Sequence, residues 1–264
     1  MSVTAEANGK GEFFIRWAAR QRVEHIVLLV VFTLLGITGL VQKFNQAALA
    51  EAIIQTMGGI EPVRFVHRFF ALVLAIQAIY HAVNIFYTYV LKRNRPAMLP
   101  SPQDIKDAQQ TVLYFIGRRK EPPLFDRFDF KQKIEYWAMV WGTIIMGITG
   151  FMMWFPIQTT KVLSGQWIVA AKAAHGAEAI LAVLSILLWH TYGAHLNAAT
   201  FPADTSIFTG KISKHRMVHE HPLEYARMVE EQRLAAVPAV AEVEEAPIEM
   251  PKVAGKAPDE KKQG

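Results

Sequence analysis

Imidazole nitrogen is the ligand this chain offers most freely. It has nine histidines and no cysteine. Five of them, His25, His67, His81, His175 and His190, lie in or beside long apolar runs. Ionisable groups at membrane depth are costly and mark function by default, and a neutral imidazole binds iron well. His67 and His81 are fourteen residues apart, and His175 and His190 fifteen. On a helix that is roughly 21–22 Å of depth, with the two rings turned within roughly 40–60° of a common face. Two such helices supply two His–His pairs at two levels, the arrangement of two stacked bis-histidine b-type haems. Zinc fits less well, because its three or four ligands converge on one point. Without thiols the chain holds no iron–sulfur cluster, no covalently attached haem and no disulfide. Depth alone pairs His81 with His190. His25 is a third imidazole at that level, where one haem takes two.

The elements that carry these residues follow from hydropathy. The chain is 264 residues long and 52% hydrophobic. The stretches 26–42, 69–91, 136–160 and 179–203 contain no Asp, Glu, Lys or Arg. Each approaches or exceeds the roughly 20 residues a bilayer core requires. Backbone groups in lipid have no water to bond, so each stretch is expected as a helix. The fold class is therefore all-α integral membrane, a four-helix bundle with helices at about 24–43, 64–91, 134–157 and 172–197. Ten Lys and Arg residues lie between Lys92 and Lys133, and four precede the first helix from Lys10 to Arg22. Positive charge stays inside, which puts both termini and the middle connection in the cytoplasm of a bacterial inner-membrane protein. No cleavable leader is read in residues 1–24. The net charge of +5 reflects loops flanking spans and does not indicate nucleic-acid binding.

An internal echo appears in the first and third helices, "GITGL" at 36–40 and "GITGF" at 147–151. Gly36, Gly39, Gly147 and Gly150 allow close helix packing or leave room for a flat cofactor. In the middle connection Ser101, Pro102 and Asp104 form a helix start, and Ile105, Ala108, Val112 and Phe115 recur at helical spacing. A short amphipathic helix on the cytoplasmic face is expected there. The organisation is a cytoplasmic segment 1–21, the di-haem domain 22–200, a cytoplasmic segment 201–234, and from 235 to 264 a disordered tail without periodicity.

With these residues in place, the chain resembles the cytochrome b (gamma) subunit of membrane-bound respiratory formate dehydrogenase, from about Arg16 to Glu230. The likeness rests on the order and spacing of "RVEH" at 22–25, "RFVHRFFA" at 64–71, "KQKIEYW" at 131–137, "ITGFMMWFP" at 148–156, "AAHGAEA" at 173–179 and "HTY" at 190–192. It continues through "GKISKH" and "HEHPLEY" within 210–225. The resemblance implies a di-haem subunit that anchors an iron–sulfur electron-transfer subunit and a catalytic oxidoreductase subunit, and exchanges electrons with quinone. It implies His67 and His175 as outer-haem ligands, and His190 with His25 at the inner haem. The second helix also resembles the b-type cytochrome of quinol-oxidising complexes, which would make His81 the inner ligand instead. The whole-chain likeness favours His25. Three departures stand out: His81 occurs where the subunit is apolar, the His175–His190 spacing is one residue longer, and Asp129, Phe130 and Lys131 replace small and amide residues near the quinone pocket.

Further roles complete the expectation. Arg68 and Lys172 would neutralise outer propionates. Asp129, Lys131, Lys133 and Glu135 would face quinone, the last two handling protons. Glu178 would pair with Arg64 or Arg68. His215, His219 and His221 would form an exposed or partner-facing segment, and Trp137, Trp141, Trp154 and Trp189 would be anchors or packing. The chain carries no nucleotide or cluster motif, so it would be an electron-transfer subunit and not a complete enzyme. The same carrier could serve a hydrogenase, a thiosulfate-type reductase or a multihaem cytochrome. A haem-free proton path would require a helix broken at mid-membrane, whereas Pro62, Pro156 and Pro202 lie near helix ends.

Overall fold

The computed structural model describes residues 6–8, 11–93, 96–197 and 200–236. Four helices are long and apolar enough to cross a membrane. They are α1 (Ala19–Lys43), α3 (Ile60–Phe86, continued in a π-helical turn to Leu91), α5 (Phe130–Trp154) and α7 (Gln166–Leu184, continued in π-helical turns to Leu196). All four begin several residues before their apolar stretch, because the first turn can be polar once it lies outside lipid. α5 stops at Trp154 because Pro156 disfavours helical geometry in the residue before it. Only 0–11% of the most apolar window of each span is buried. Leu72, Ile76, Leu181 and Leu188 turn outward, so the surrounding medium must itself be apolar.

α1 packs along α3, α5 packs along α7, and α1 also meets α7. Two hairpins thus join side by side. At one end, α2 (Ala48–Thr56) and the short α6 (Pro156–Thr160) cross between spans. There Val41, Ala50 and fully buried Val63 pack with Ile53, Ile54, Met57 and Ile60.

The other end carries the basic segments. α4 (Pro102–Phe115) starts as its sequence predicts: Ser101 N–H donates to the Asp104 carboxylate at 2.6 Å, and Lys133 reaches the same group at 2.8 Å. Its inward contacts are polar, with Asp107 buried, while Ile105, Val112 and Phe115 are exposed. Helices alone do not complete this end. A three-stranded antiparallel sheet joins β1 (Glu6–Asn8), β2 (Gly11–Ile15) and β3 (Lys211–Ser213), with Phe14 opposite Ile212. These strands are too short to show a period of two, and their pairing spans about two hundred residues.

β3 is framed by α8 (Ser206–Thr209) and α9 (Lys214–Glu220), and α10 follows from Pro222 to Ala236. A buried ionic knot fixes this cap. Glu224 accepts from Arg16 at 2.9 Å and from Arg127 at 2.5 Å. Each arginine also donates to the other's backbone carbonyl, at 2.5 and 2.7 Å. Burial, and then the neighbouring Arg127 cation, pull the Arg16 guanidinium down to about 10. Ala235 and Ala236 close α10, and the tail expected beyond them lies outside the described residues.

Candidate metal centres

The two hairpins place their imidazoles in facing pairs. Near the α2 end, the rings of His67 on α3 and His175 on α7 have centroids 6.4 Å apart. Near the basic end, His25 on α1 faces His190 on α7 at 6.1 Å. An iron held between two imidazoles by metal–nitrogen bonds of about 2 Å separates ring centres by about 6 Å. Both pairs therefore fit a bis-imidazole metal centre.

The hydrogen bonds assign the free nitrogen at three of the four rings. The Thr38 hydroxyl donates to Leu34 O at 2.6 Å, so its oxygen accepts from His67 Nδ1–H at 2.9 Å. Thr149 does the same, donating to Ile145 O at 2.6 Å and accepting from His175 Nδ1–H at 2.9 Å. The Glu135 carboxylate accepts from His190 Nδ1–H at 3.1 Å. Each ring thus keeps its Nε2 lone pair for a metal, the usual reason for a partner on the second ring nitrogen. His25 Nδ1 is buried without a partner among the described residues.

His81 is occupied differently. Its Nδ1–H donates to Glu24 at 2.7 Å, and its Nε2 accepts from the Tyr136 hydroxyl at 3.2 Å. Neither nitrogen is free, and among the described residues the ring faces Tyr136 and no imidazole. The extra residue between His175 and His190 is absorbed in the π-helical turn Ser185–His190. That wider turn returns His190 to the bundle interior.

The echoed glycines divide by task. A Cβ on Gly39 would meet His67 Cε1 at 3.2 Å, and one on Gly150 would meet His175 Cε1 at 3.3 Å. These two make room for the imidazoles. Gly36 abuts Val183, at 3.4 Å from such a Cβ, while at Gly147 nothing lies within 4 Å. The threonines of the two "GIT" echoes were not singled out by sequence reasoning, although the echo itself was the signal.

The expected ion pair of Glu178 is not formed. Arg64 bonds Glu61 instead, and Arg68 lies over the Trp154 ring at 5.7 Å. Glu178 Oε1 sits against α5, 2.8 Å from where Gly142 would carry a Cβ. Lys172 has no ion-pair partner among the described residues. Of the groups expected to face quinone, Asp129 caps α5 by accepting from Gln132 N–H at 2.8 Å, and Lys131 lies 3.4 Å from it. Lys133 holds Asp104, and Glu135 holds His190.

His221 is buried in the cap, where Nδ1–H donates to Asp126 O at 2.9 Å, so it is not part of an exposed segment. His215 and His219 stack on α9 with centroids 4.6 Å apart. No group of three or more metal-ligating side chains occurs among the described residues.

Four apolar spans holding two cross-hairpin imidazole pairs define a membrane bundle suited to metal-centred groups. A family model described as prokaryotic cytochrome b561 matches residues 82–207, just under half of the chain. The match takes in His175 and His190 and stops short of His25 and His67. It supports a membrane b-type cytochrome with haem b as its cofactor class and transmembrane electron transfer as its role. No curated protein matches the chain.

Proposed function

We propose that the chain is a di-haem cytochrome b subunit that carries electrons across the bilayer between a partner oxidoreductase and the quinone pool. The observation that carries this reading is the recurrence of one geometry at two depths, His67 with His175 at 6.4 Å and His25 with His190 at 6.1 Å. Haem b, when bound, supplies a one-electron ferric–ferrous couple at each level. The residues do the rest. The four imidazoles supply Nε2 donors, Thr38, Thr149 and Glu135 hold three of the rings in one tautomer, and Gly39 and Gly150 allow the outer rings their approach. Lipid-facing aliphatic side chains keep water from the path between the levels.

The outer propionates are assigned to Arg68 and Lys172, cations near the outer pair. Quinone contact is assigned to the basic, cytoplasmic end. A groove of about 360 Å³ between α1 and α3, lined by Arg20, Val23, Glu24, Val27, Gln77 and Tyr80, supports that placement. Val23, Val27 and the Tyr80 ring can pack on a small aromatic head group, with Arg20, Glu24 and Gln77 at its polar edge. The partner is of the formate dehydrogenase type, an iron–sulfur subunit with its catalytic subunit, as the sequence resemblance implies.

The test is haem b per polypeptide, measured by pyridine haemochrome on the purified full chain. Two haems are expected. None, from a well-folded preparation, overturns the reading.

A further inference from the structure

The two imidazole pairs differ in what accepts their Nδ1–H bonds, and that difference predicts an electronic one. At the outer pair both acceptors are neutral hydroxyls, Thr38 and Thr149, each at 2.9 Å. At the inner pair His190 donates to a carboxylate, Glu135, at 3.1 Å. A carboxylate draws the Nδ1 proton more strongly than a hydroxyl does, because the bond is charge-assisted. The ring then carries more electron density, and its Nε2 becomes the stronger donor. Such outer partners raise ligand basicity, and hydrogen bonding around the ligands is one of the levers that set a haem potential.

We infer that Glu135 grades the two centres, making the inner haem the lower-potential one and the outer haem the higher. The inference rests on the di-haem reading. The Glu135 carboxylate also stabilises an oxidised, more positive iron beside it, whereas neither outer imidazole bonds a carboxylate. Electrons from quinol at the basic end would run downhill to the opposite end, and electrons delivered from the opposite end to quinone would step uphill between the haems, drawn by the couples at either end.

Glu135 is a positioning residue in this account, because it acts through His190. Glu24 repeats its bond on His81, at 2.7 Å, yet His81 faces a phenol, so Glu24 has no ligand to tune. Glu61 and Glu178, the remaining carboxyls within the spans, bond no imidazole among the described residues.

The experiment is a potentiometric titration of the purified holoprotein, following the haem absorption bands, once haem content has been measured. A content other than two per polypeptide would fail the di-haem reading before any potential is recorded. With two haems present, two redox waves are expected, and the lower should be the one that disappears in His25→Ala. Glu135→Gln should raise the lower wave and leave the upper in place, while Glu135→Asp, which keeps the charge, should stay close to the parent. Thr149→Val should raise only the upper wave, and by less, with Thr149→Ser restoring it. Three results overturn the inference: the higher wave vanishing in His25→Ala, Glu135→Gln moving neither wave or both equally, or a larger shift of the lower wave in Glu24→Gln or Glu178→Gln.

Discussion

The hairpin of α1 and α3 and the hairpin of α5 and α7 follow one plan, and their most consequential divergence is at one position. Thr38 corresponds to Thr149, Gly39 to Gly150 and Glu24 to Glu135, each 111 positions apart. His67 corresponds to His175, and His81 to His190 once the extra residue of the π-helical turn is set aside. Even the bonds repeat. Both threonines hold an outer imidazole at 2.9 Å, and both glutamates hold an inner one, at 2.7 and 3.1 Å. At the next shared position the first hairpin has His25 and the second has Tyr136. That substitution leaves His190 facing an imidazole and His81 facing a phenol. A symmetric scaffold thereby becomes an asymmetric one, with a facing imidazole pair on one side of the basic end and an imidazole bonded to a phenol on the other.

The sharpest way to break this comparison is to remove the imidazoles of the basic end one at a time. His25→Ala and His190→Ala should each lose one of the two haems entirely, whereas His81→Ala should keep both. Haem per polypeptide decides it, and loss in His81→Ala would exchange the roles of the two sides.

A smaller effect tests whether the hairpins remain equivalent at the outer level. Gly39→Ala and Gly150→Ala each press a methyl group against an imidazole carbon, at 3.2 and 3.3 Å. Each should cost about 1–3 kcal/mol, as overpacking does, and each should lower outer-haem occupancy to a similar extent. Gly147→Ala meets nothing within 4 Å and should not destabilise the haem-free protein, since alanine is the better helix former. Thermal unfolding and haem retention, read together, would show whether one hairpin dominates.

The least effect is expected at the cap, whose pH-sensitive groups lie after α7 and have no counterpart in the first hairpin. Burial, and then the Arg16 cation, hold the His221 imidazole below its ordinary value. Folding therefore favours its neutral form, and stability should decline as pH falls below about 6.5. Burial alone would raise the Asp204 carboxyl, but two bonds from Arg216, at 2.9 and 3.0 Å, outweigh it and hold it low. That contribution is present above about pH 4 and fades as pH falls further. Hydrogen exchange in residues 204–224 should quicken on acidification, and His221→Gln should remove the part nearest pH 6.5. An unchanged profile in that variant would rule out His221 as the source.

Much of this is legible in the sequence alone. Composition and charge-free stretches identified four spans, and Ser101, Pro102 and Asp104 predicted α4. The "GIT" echo pointed to related hairpins, and its purpose became visible only when Thr38 and Thr149 were found on imidazoles. The β2–β3 pairing and the Arg16–Arg127–Glu224 knot left no trace in the sequence, because no local period records a partner a hundred or more residues away. The ion pair expected for Glu178 failed for a related reason: position along its own helix does not fix its neighbour, and the facing helix offers Gly142 and not an arginine.

The sequence by itself determined the solvent of this protein, the number of its spans and the two levels at which imidazoles occur. Those are properties of composition and of helical rise along a single segment. Helical spacing left both His25 and His81 open to His190, and although the whole-chain likeness favoured His25, only the tertiary structure shows which ring faces it. It depends on the azimuth of each helix in the bundle, on a π-helical turn that rotates His190, and on Tyr136 reaching His81 from a different hairpin. Contacts of that kind are set by packing between segments, which hydropathy and periodicity within a segment do not encode.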